Sequence, residues 1–562
     1  MTASTAGPDS PARRIARGYD SDAPAVVLGS VVIDDVADPE ALVRIPLPMF
    51  NRHGLVAGAT GTGKTKTLQV IAEQLSAAGV PVFMPDIKGD LTGLMVPGES
   101  NLRIVQRAAD TGDDWAPARV SVELLCLNGQ GAAVPVRATV DSFGPILLAK
   151  VLDLNETQES TLGLIVHWAD ERNLPLLDLK DLRAVVMHLT SDEGKEDLRA
   201  LGGVSKATAG VILRAVTNLD AQGGDRFFGE PELDVADLLR VDADGRGVVT
   251  LFEAAGLQTN PALFSTFLMW LLAELFEQLP EVGDLDKPKL VFLFDEAHLL
   301  FADASKAFLQ AVQQTVKLIR SKGVGVFFCT QLPTDVPGPV LSQLGARVQH
   351  ALRAFTPDDQ KALKATVKTY PVTADYDLSA ALTGLGTGEA IVTVLSERGS
   401  PTPVAWTRVR APRTLMAPAP EAIVTAVVAG SPLAGKYGQD IDRQSAYEML
   451  TARLTTPTGP PAPSGAPTPT ATPPGPAGPA IGADGWPTLT PEPYNPYLDE
   501  PAPPRTAPTP RPAPRSAPGP EQGGGLADVL GNPAVTSFMR SLGSSLGGSL
   551  GRSIFGTRKR RR

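Results

Sequence analysis

Gly58, Gly63, Lys64 and Thr65 stand at the spacing G-x-x-x-x-G-K-[ST] inside the stretch LVAGATGTGKTKT at 55–67. That spacing suits one kind of chemistry. Glycines let the backbone curl until its N–H groups converge on a phosphate, and the first turn of a following helix adds the positive end of its dipole. Gly58, Ala59, Thr60, Gly61, Thr62, Gly63, Lys64, Thr65 and Lys66 are therefore the candidate nucleotide-binding residues. Lys64 would reach the β- and γ-phosphates of ATP, and the Thr65 hydroxyl would take one position on Mg2+. A second constellation, KLVFLFDEAH at 289–298, ends an apolar run on two adjacent acids. Asp295 would hold Mg2+ through water, and Glu296 would polarise a water for attack on the γ-phosphate. Gln331 follows the apolar run Val324–Thr330, where a polar side chain is placed to contact both γ-phosphate and water. Arg320 sits just ahead of that run, and from position alone it reads as compensation of a helix C-terminal dipole.

These groups need elements to position them. Leu55-Val56-Ala57 reads as a buried strand into the loop, and Thr67 to Leu75 as an amphipathic helix out of it. Val80–Met84 is a second buried strand, ending on Asp86-Ile87-Lys88-Gly89-Asp90. In open α/β sheets the C-terminal strand ends face the ligand crevice, so this charged cluster is either functional or a solvated loop. Lys289–His298 supplies a strand buried on both faces, and Ser305–Arg320 a helix with Phe308, Leu309, Val312, Val316 and Ile319 on one side. Between about 90 and 287 the core is interrupted. Strands and turns are expected over Val120–Val140, and helices over Ile146–Ala169, Leu179–Leu189, Ala207–Leu219 and Pro261–Gln278. Asp242-Ala243-Asp244-Gly245 lacks the Gly and Glu positions of an EF-hand and reads as a tight turn before the strand Val248–Phe252.

The totals narrow the class. With 562 residues the chain exceeds one compact core, and its formal net charge of −10 leaves any nucleic-acid contact to a local patch. The two cysteines, Cys126 and Cys329, are far apart in apolar surroundings, which disfavours a disulfide framework or a zinc site and suits a reducing cytoplasm. The N-terminus has no apolar h-region, and no apolar run is long enough for a membrane-spanning helix. An Asn-Lys-x-Asp motif, which a GTPase would need, does not occur. A small-molecule kinase is disfavoured by Glu296 and the Gln331 strand.

Taken together, Arg52-His53-Gly54, GATGTGKT at 58–65, Asp86 with Lys88-Gly89-Asp90, FLFDEAH at 292–298 and IRSKGVGVFFCTQ at 319–331 carry a resemblance. Over roughly residues 25–415 the chain resembles the HerA/FtsK group of ring-forming DNA translocases, and particularly the bacterial HerA-like (YjgR-like) ATPases. The resemblance implies an α/β fold: a RecA-like P-loop NTPase core with a mainly parallel sheet and a largely helical insertion. It implies a homo-hexamer, ATP and Mg2+ as ligands, and duplex DNA as the moved polymer. It also implies that Arg320 is an arginine finger serving the neighbouring subunit, that Gln331 is the sensor glutamine, and that LGTGEAIV at 385–392 is the closing strand. HerA proper has an N-terminal β-barrel, whereas residues 1–50 here hold only a short β element, so a role in DNA-end resection does not follow.

The expected division is a disordered N-terminus over 1–24, a short β element over 25–50, and the ATPase core over 51–90 and 287–415. The helical insertion fills 91–286 and a helical extension 416–454. Residues 455–520 are dominated by Pro, Ala and Thr and are expected to be a disordered linker. Residues 521–562 carry Phe538, Leu542, Leu546, Leu550 and Ile554 at helical spacing, with Gly543, Gly547 and Gly551 between them, and end on Arg558-Lys559-Arg560-Arg561-Arg562. Three readings of this tail stay open: a peripheral membrane anchor, a DNA phosphate contact, or a helix docked on protein. The expected location is the cytoplasm, either free or peripheral at the membrane. The expected function is ATP hydrolysis coupled to polymer movement. A nucleotide-gated scaffold that does not translocate DNA is the alternative.

Overall fold

The computed structural model describes residues 10–127, 132–200, 204–253, 261–301 and 306–455. Its strands, in chain order, are β1 (Ala25–Ile33), β2 (Val36–Pro46), β3 (Gly54–Ala57), β4 (Val82–Asp86), β5 (Val122–Cys126) and β6 (Val134–Pro135), then β7 (Val249–Glu253), β8 (Leu290–Phe294), β9 (Val324–Thr330), β10 (Ala346–Gln349), β11 (Glu389–Thr393) and β12 (Ala405–Val409). Among the described residues they form one sheet in the order β2-β1-β12-β11-β10-β3-β9-β8-β4-β7-β5-β6. Every pairing from β10 to β6 is parallel. The remaining pairs, from β10 to β11 and on to β2, are antiparallel.

The parallel half follows from its sequence. LVFLF in β8 and VGVFFCT in β9 have no polar alternation and are buried throughout. Such strands need cover on both faces, which crossover helices provide. One cover is the helix Pro261–Gln278, apolar on nearly every side, in which Phe267 and Trp270 are fully buried. Phe267 stacks on Phe252 of β7 with ring centres 4.7 Å apart, and Phe83 of β4 meets Phe292 of β8 at 5.1 Å.

Three expectations are corrected. Residues 1–24 do not form one mobile stretch: Ser10 caps a helix over Pro11–Ala16, and Ile15 and Tyr19 are buried. The Tyr19 hydroxyl donates to the Val392 carbonyl at 2.8 Å, which ties this stretch to the sheet. The stretch 91–286 is not a separate helical insertion, because β7, β5 and β6 extend the parallel sheet beyond β4, with register from Val82↔Val249 to Asp86↔Glu253. Its helical part remains, but the expected helix over Ile146–Ala169 is two helices, Val140–Val151 and Glu156–Glu171. Asn155 and Gln158 form a capping box there, and Asp153 has φ +52°, so local hydrogen bonds end one helix and start another despite continuous apolar spacing.

The turn at Asp242 is as its composition requires: Asp242 Oδ1 accepts from the N–H groups of Asp244 and Arg246, both at 2.9 Å. Beyond the sheet, helices cover Glu421–Ala429, Ala434–Tyr437 and Ala446–Thr455. The last is tied to the body through the Tyr447 N–H, which donates to Asp181 Oδ1 at 2.9 Å. No described helix is long and apolar enough to cross a membrane. The Pro-rich linker expectation from residue 456 on, and the glycine-rich helix with its basic terminus, lie outside the described residues.

Candidate active site

The phosphate loop joins β3 to the helix Lys64–Ala77. Gly63 caps that helix at φ +112°, a conformation side chains resist, and a Cβ on Gly58 would stand 2.5 Å from His350 Cβ. Both glycines are therefore required by geometry. The loop is held from two sides. Gly58 N–H donates to the Thr330 carbonyl of β9 at 3.2 Å, and Ala59 N–H to the Ala351 carbonyl just past β10 at 2.8 Å. Gly388 N–H donates to the Thr62 carbonyl at 2.9 Å, placing the Gly386–Glu389 turn against the loop. Lys64 is buried and its Nζ donates to the carbonyls of Gly58 and Ala59 at 2.7 and 3.2 Å. Thr60 and Gly61 form the exposed crest, and Thr65 lies half-buried in the first helical turn. Lys66 turns elsewhere: its Nζ reaches Gln69 Oε1 at 3.2 Å, and burial lowers its pKa against the pull of Asp90, Asp86 and Glu73.

The acid pair reaches the same edge of the sheet. β9 lies between β3 and β8, so the loop strand and the acid strand stand two strand spacings apart, about 10 Å. Asp295 is buried, and burial pushes its carboxyl above the usual range, opposed by a hydrogen bond from the Cys329 thiol and reinforced by the charge of Glu296. Cys329, on β9 between the two motifs, is itself pushed up by burial first, and it feels the charges of Asp295, Lys64 and Glu296 together. Glu296 holds φ +49°, a left-handed conformation that costs a non-glycine residue about 1–3 kcal/mol and that turns the chain sharply after Asp295. Its Oε1 accepts from Lys88 Nζ at 2.5 Å. Its Oε2 is buried without a hydrogen-bond partner, with His298 Nδ1 3.5 Å away.

Lys88 is delivered by the charged turn that ends β4. Asp86 is buried there and folds the turn around itself, its Oδ1 accepting from Gly89 N–H at 2.7 Å and its Oδ2 from Leu91 N–H at 3.0 Å. Burial pulls the Lys88 ammonium down, but the hydrogen bond and charge of Glu296 outweigh it and hold its pKa above the ordinary lysine value. The solvated-loop reading of this cluster therefore gives way to a structured turn that contacts the acid pair.

Two buried histidines complete the surroundings, His350, which the sequence reading missed, and His53, which it marked only as part of the resemblance. His350, fully buried at the tip of β10, accepts from or donates to Thr67 Oγ1 through Nε2 at 2.9 Å, while Nδ1 meets the Glu389 carbonyl at 2.8 Å. A carbonyl only accepts, so Nδ1 carries the proton and Thr67 donates. His53, with φ +59°, donates through Nε2 to the Val316 carbonyl at 2.8 Å and accepts from Val326 N–H at 3.1 Å. Burial pushes both imidazoles down to about 4. The one available signal for His350 was its place just past the short stretch Ala346–Gln349, at the crevice edge.

Gln331 follows β9 directly and is exposed, at the edge shared by the loop and the acid pair. Arg320 is not brought into this group. It opens the turn Arg320–Lys322 before β9, at the opposite end of a seven-residue strand, about 20 Å from the loop edge. It is exposed, and burial first and the charge of Arg52 second lower its pKa. Arg52 itself stands 4.0 Å from the exposed Asp284.

Mg2+ is a hard cation that keeps several waters and takes one or two protein oxygens plus phosphates. Thr65 and Asp295 offer that oxygen-only set, and the partnerless buried Glu296 oxygen fits a site meant to receive another polar group. Among the described residues no group of three or more His, Cys, Asp or Glu side chains could hold a metal unaided.

Comparison with known proteins extends this geometry. The helicase HerA-like C-terminal family matches residues 33–469. The DNA double-strand break repair helicase HerA of Sulfolobus acidocaldarius is 22% identical over 373 residues, covering 65% of this chain and 66% of that protein. The HerA helicase of Sulfurisphaera tokodaii is 22% identical over 369 residues, with the same coverage of 65% and 66%. The chain thus spans about two thirds of the length of these curated relatives. Among solved structures, the bacterial conjugative coupling protein TrwB overlaps 72% of this chain and 93% of its own at 16% identity, with a TM-score of 0.45. The chain belongs to the helicase HerA-like C-terminal family.

Proposed function

We propose that the chain is a Mg2+-dependent ATP hydrolase that assembles into a homo-hexameric ring and couples hydrolysis to the movement of duplex DNA. One observation carries this reading: Lys64, Asp295, Glu296 and Gln331 gather at one edge of three adjacent strands, while Arg320 lies at the other. In the proposed reaction Lys64 and the loop N–H groups bind the β- and γ-phosphates. Thr65 and Asp295 would hold Mg2+, which neutralises phosphate charge when bound. Glu296 takes a proton from the attacking water as its oxygen bonds to the γ-phosphorus and the β–γ bridge breaks toward ADP. Lys88 orients the Glu296 carboxylate, and Gln331 contacts the γ-phosphate. Arg320 cannot reach its own loop and would complete the site of a neighbouring copy, which is why the reading includes a ring.

Duplex DNA as the moved polymer is supported by family membership and by the HerA relatives, which are DNA double-strand break repair helicases. A cytoplasmic location is supported by two buried cysteines, Cys126 and Cys329, that are not joined in a disulfide. The test is ATP turnover with and without Mg2+ and with and without duplex DNA, at rising salt. Turnover that needs Mg2+ and rises with DNA at low salt, with the stimulation falling steeply as salt increases, is the expected result. Mg2+-dependent turnover that is indifferent to duplex DNA at every salt concentration would instead favour the nucleotide-gated scaffold.

A further inference from the structure

The segment that leaves β10 runs beside the phosphate loop and is pinned to it. His350 N–H donates to the Ala57 carbonyl at 2.7 Å and the Ala351 carbonyl accepts from Ala59 at 2.8 Å. Side chains then alternate. Leu352 is buried in a small cluster with Leu382 and Ile391, and Ala354 packs on the same cluster. Arg353 and Phe355 therefore point the other way and are exposed, Phe355 by 84%. The backbone that presents them is fixed at both ends: Leu352 N–H donates to the Leu382 carbonyl at 2.8 Å, and Phe355 N–H to Asp359 Oδ2 at 3.1 Å. Arg353 leans over the loop crest, its guanidinium donating to the Thr60 carbonyl at 3.4 Å, and it has no carboxylate partner among the described residues. Phe355 lies two residues on, within about 7 Å of chain.

A single exposed aromatic needs no explanation. An exposed ring on a rigid backbone, next to an unpaired guanidinium that touches the crest of a phosphate loop, is a different matter. Bases present a flat π-face that stacks on aromatic rings whatever their sequence, and a guanidinium adds positive charge where phosphates end. We propose that Arg353 and Phe355 form the nucleoside platform of the site. The Phe355 ring stacks on the base of the bound nucleotide, and Arg353 supplies charge between the base and the loop. The ligand class is a nucleoside di- or triphosphate, with little preference between adenine and guanine from the ring itself. This inference rests on nucleotide binding at the Lys64 loop.

The test compares equilibrium binding of Mg-ADP and of inorganic tripolyphosphate, which has no base. Phe355→Ala should weaken Mg-ADP about ten-fold and leave tripolyphosphate unchanged, and Phe355→Trp should restore parental affinity. Arg353→Gln should weaken both ligands. Lys64→Ala should lose both. Parental Mg-ADP affinity in Phe355→Ala, or an equal loss for both ligands, overturns the platform while leaving the loop reading intact. A parent that binds neither ligand sinks both. Phe355→Ala that keeps Mg-ADP affinity but changes solution mass would assign the ring to a contact between copies and also overturn the platform.

Discussion

The two ends of the same parallel strands differ in what they carry. At the C-terminal end a backbone cradle, a lysine and two adjacent acids lie within the width of β3, β9 and β8, and Glu296 is engaged by Lys88. At the N-terminal end burial first and the charge of Arg52 second lower the pKa of Arg320, both arginines add to the burial that lowers His53, and the 90% exposed Asp284 stands 4.0 Å from Arg52. One end has a place for phosphate with an acid beside it; the other has guanidinium groups with little to neutralise. A single copy cannot bring them together, since a rigid buried strand separates them. In the proposed ring a neighbouring copy would bring them together. In this reading the sheet serves as a spacer that keeps each arginine out of its own site.

The largest effect is expected from Arg320→Ala. Turnover should fall by roughly 10³–10⁵-fold while nucleotide binding persists. Mixing Arg320→Ala subunits with Lys64→Ala subunits should recover activity, because some interfaces then pair an intact loop with an intact arginine. Parental turnover in Arg320→Ala rings would reduce the far end to surface charge. Next in size, Glu296→Gln should lower turnover by about 10²–10⁴-fold with ATP affinity retained. Parental turnover in that variant would show that the base lies elsewhere. Lys88→Met should lower kcat about ten-fold with KM nearly unchanged, a smaller effect because orientation is lost and the base is kept. Lys88→Arg should recover most of that loss, whereas a purely structural role for Lys88 would change the thermal midpoint and leave the kcat-to-KM split alone.

The smallest effect concerns the histidines that stiffen the two ends, His53 near the arginines and His350 behind the loop. Each is held neutral, with a folded-state pKa of about 4 against an unfolded value near 6.5. The unfolded chain therefore binds more protons between those values. Their stabilisation is complete above pH 6.5 and is lost as pH falls toward 4, by up to about 3 kcal/mol each. Imidazole NMR resonances of His53 and His350 should stay in the neutral form from pH 7.5 to 5.5. Titration of either near pH 6.5 would contradict its burial.

The chemistry-bearing motifs were legible because each is local. A phosphate loop needs its glycines and lysine within a few residues, and an acid pair at the end of FLF needs only its own strand. What failed to show were partners far apart in the chain. Lys88 and Glu296 are separated by 208 residues, and Thr67 and His350 by 283, so no spacing rule links them. The N-terminal helix went unseen because Ile15 and Tyr19 are few among polar neighbours and find their apolar surroundings only on the assembled sheet. The strands within 91–286 were visible as strands, but not as members of the same sheet, since β7 inserts between β4 and β5, which precede it by well over a hundred residues.

The sequence alone was enough to mark which residues have the types and spacing that the proposed phosphate binding and water activation need, and which runs must be buried, because covalent neighbours and side-chain type decide these. Only the tertiary structure decided that β9 separates the loop from the acids by one strand, that a lysine from a third strand end grips Glu296, and that Arg320 faces away from its own site. Those facts come from strand order, and strand order is a balance of packing over the whole sheet that no short stretch of chain contains.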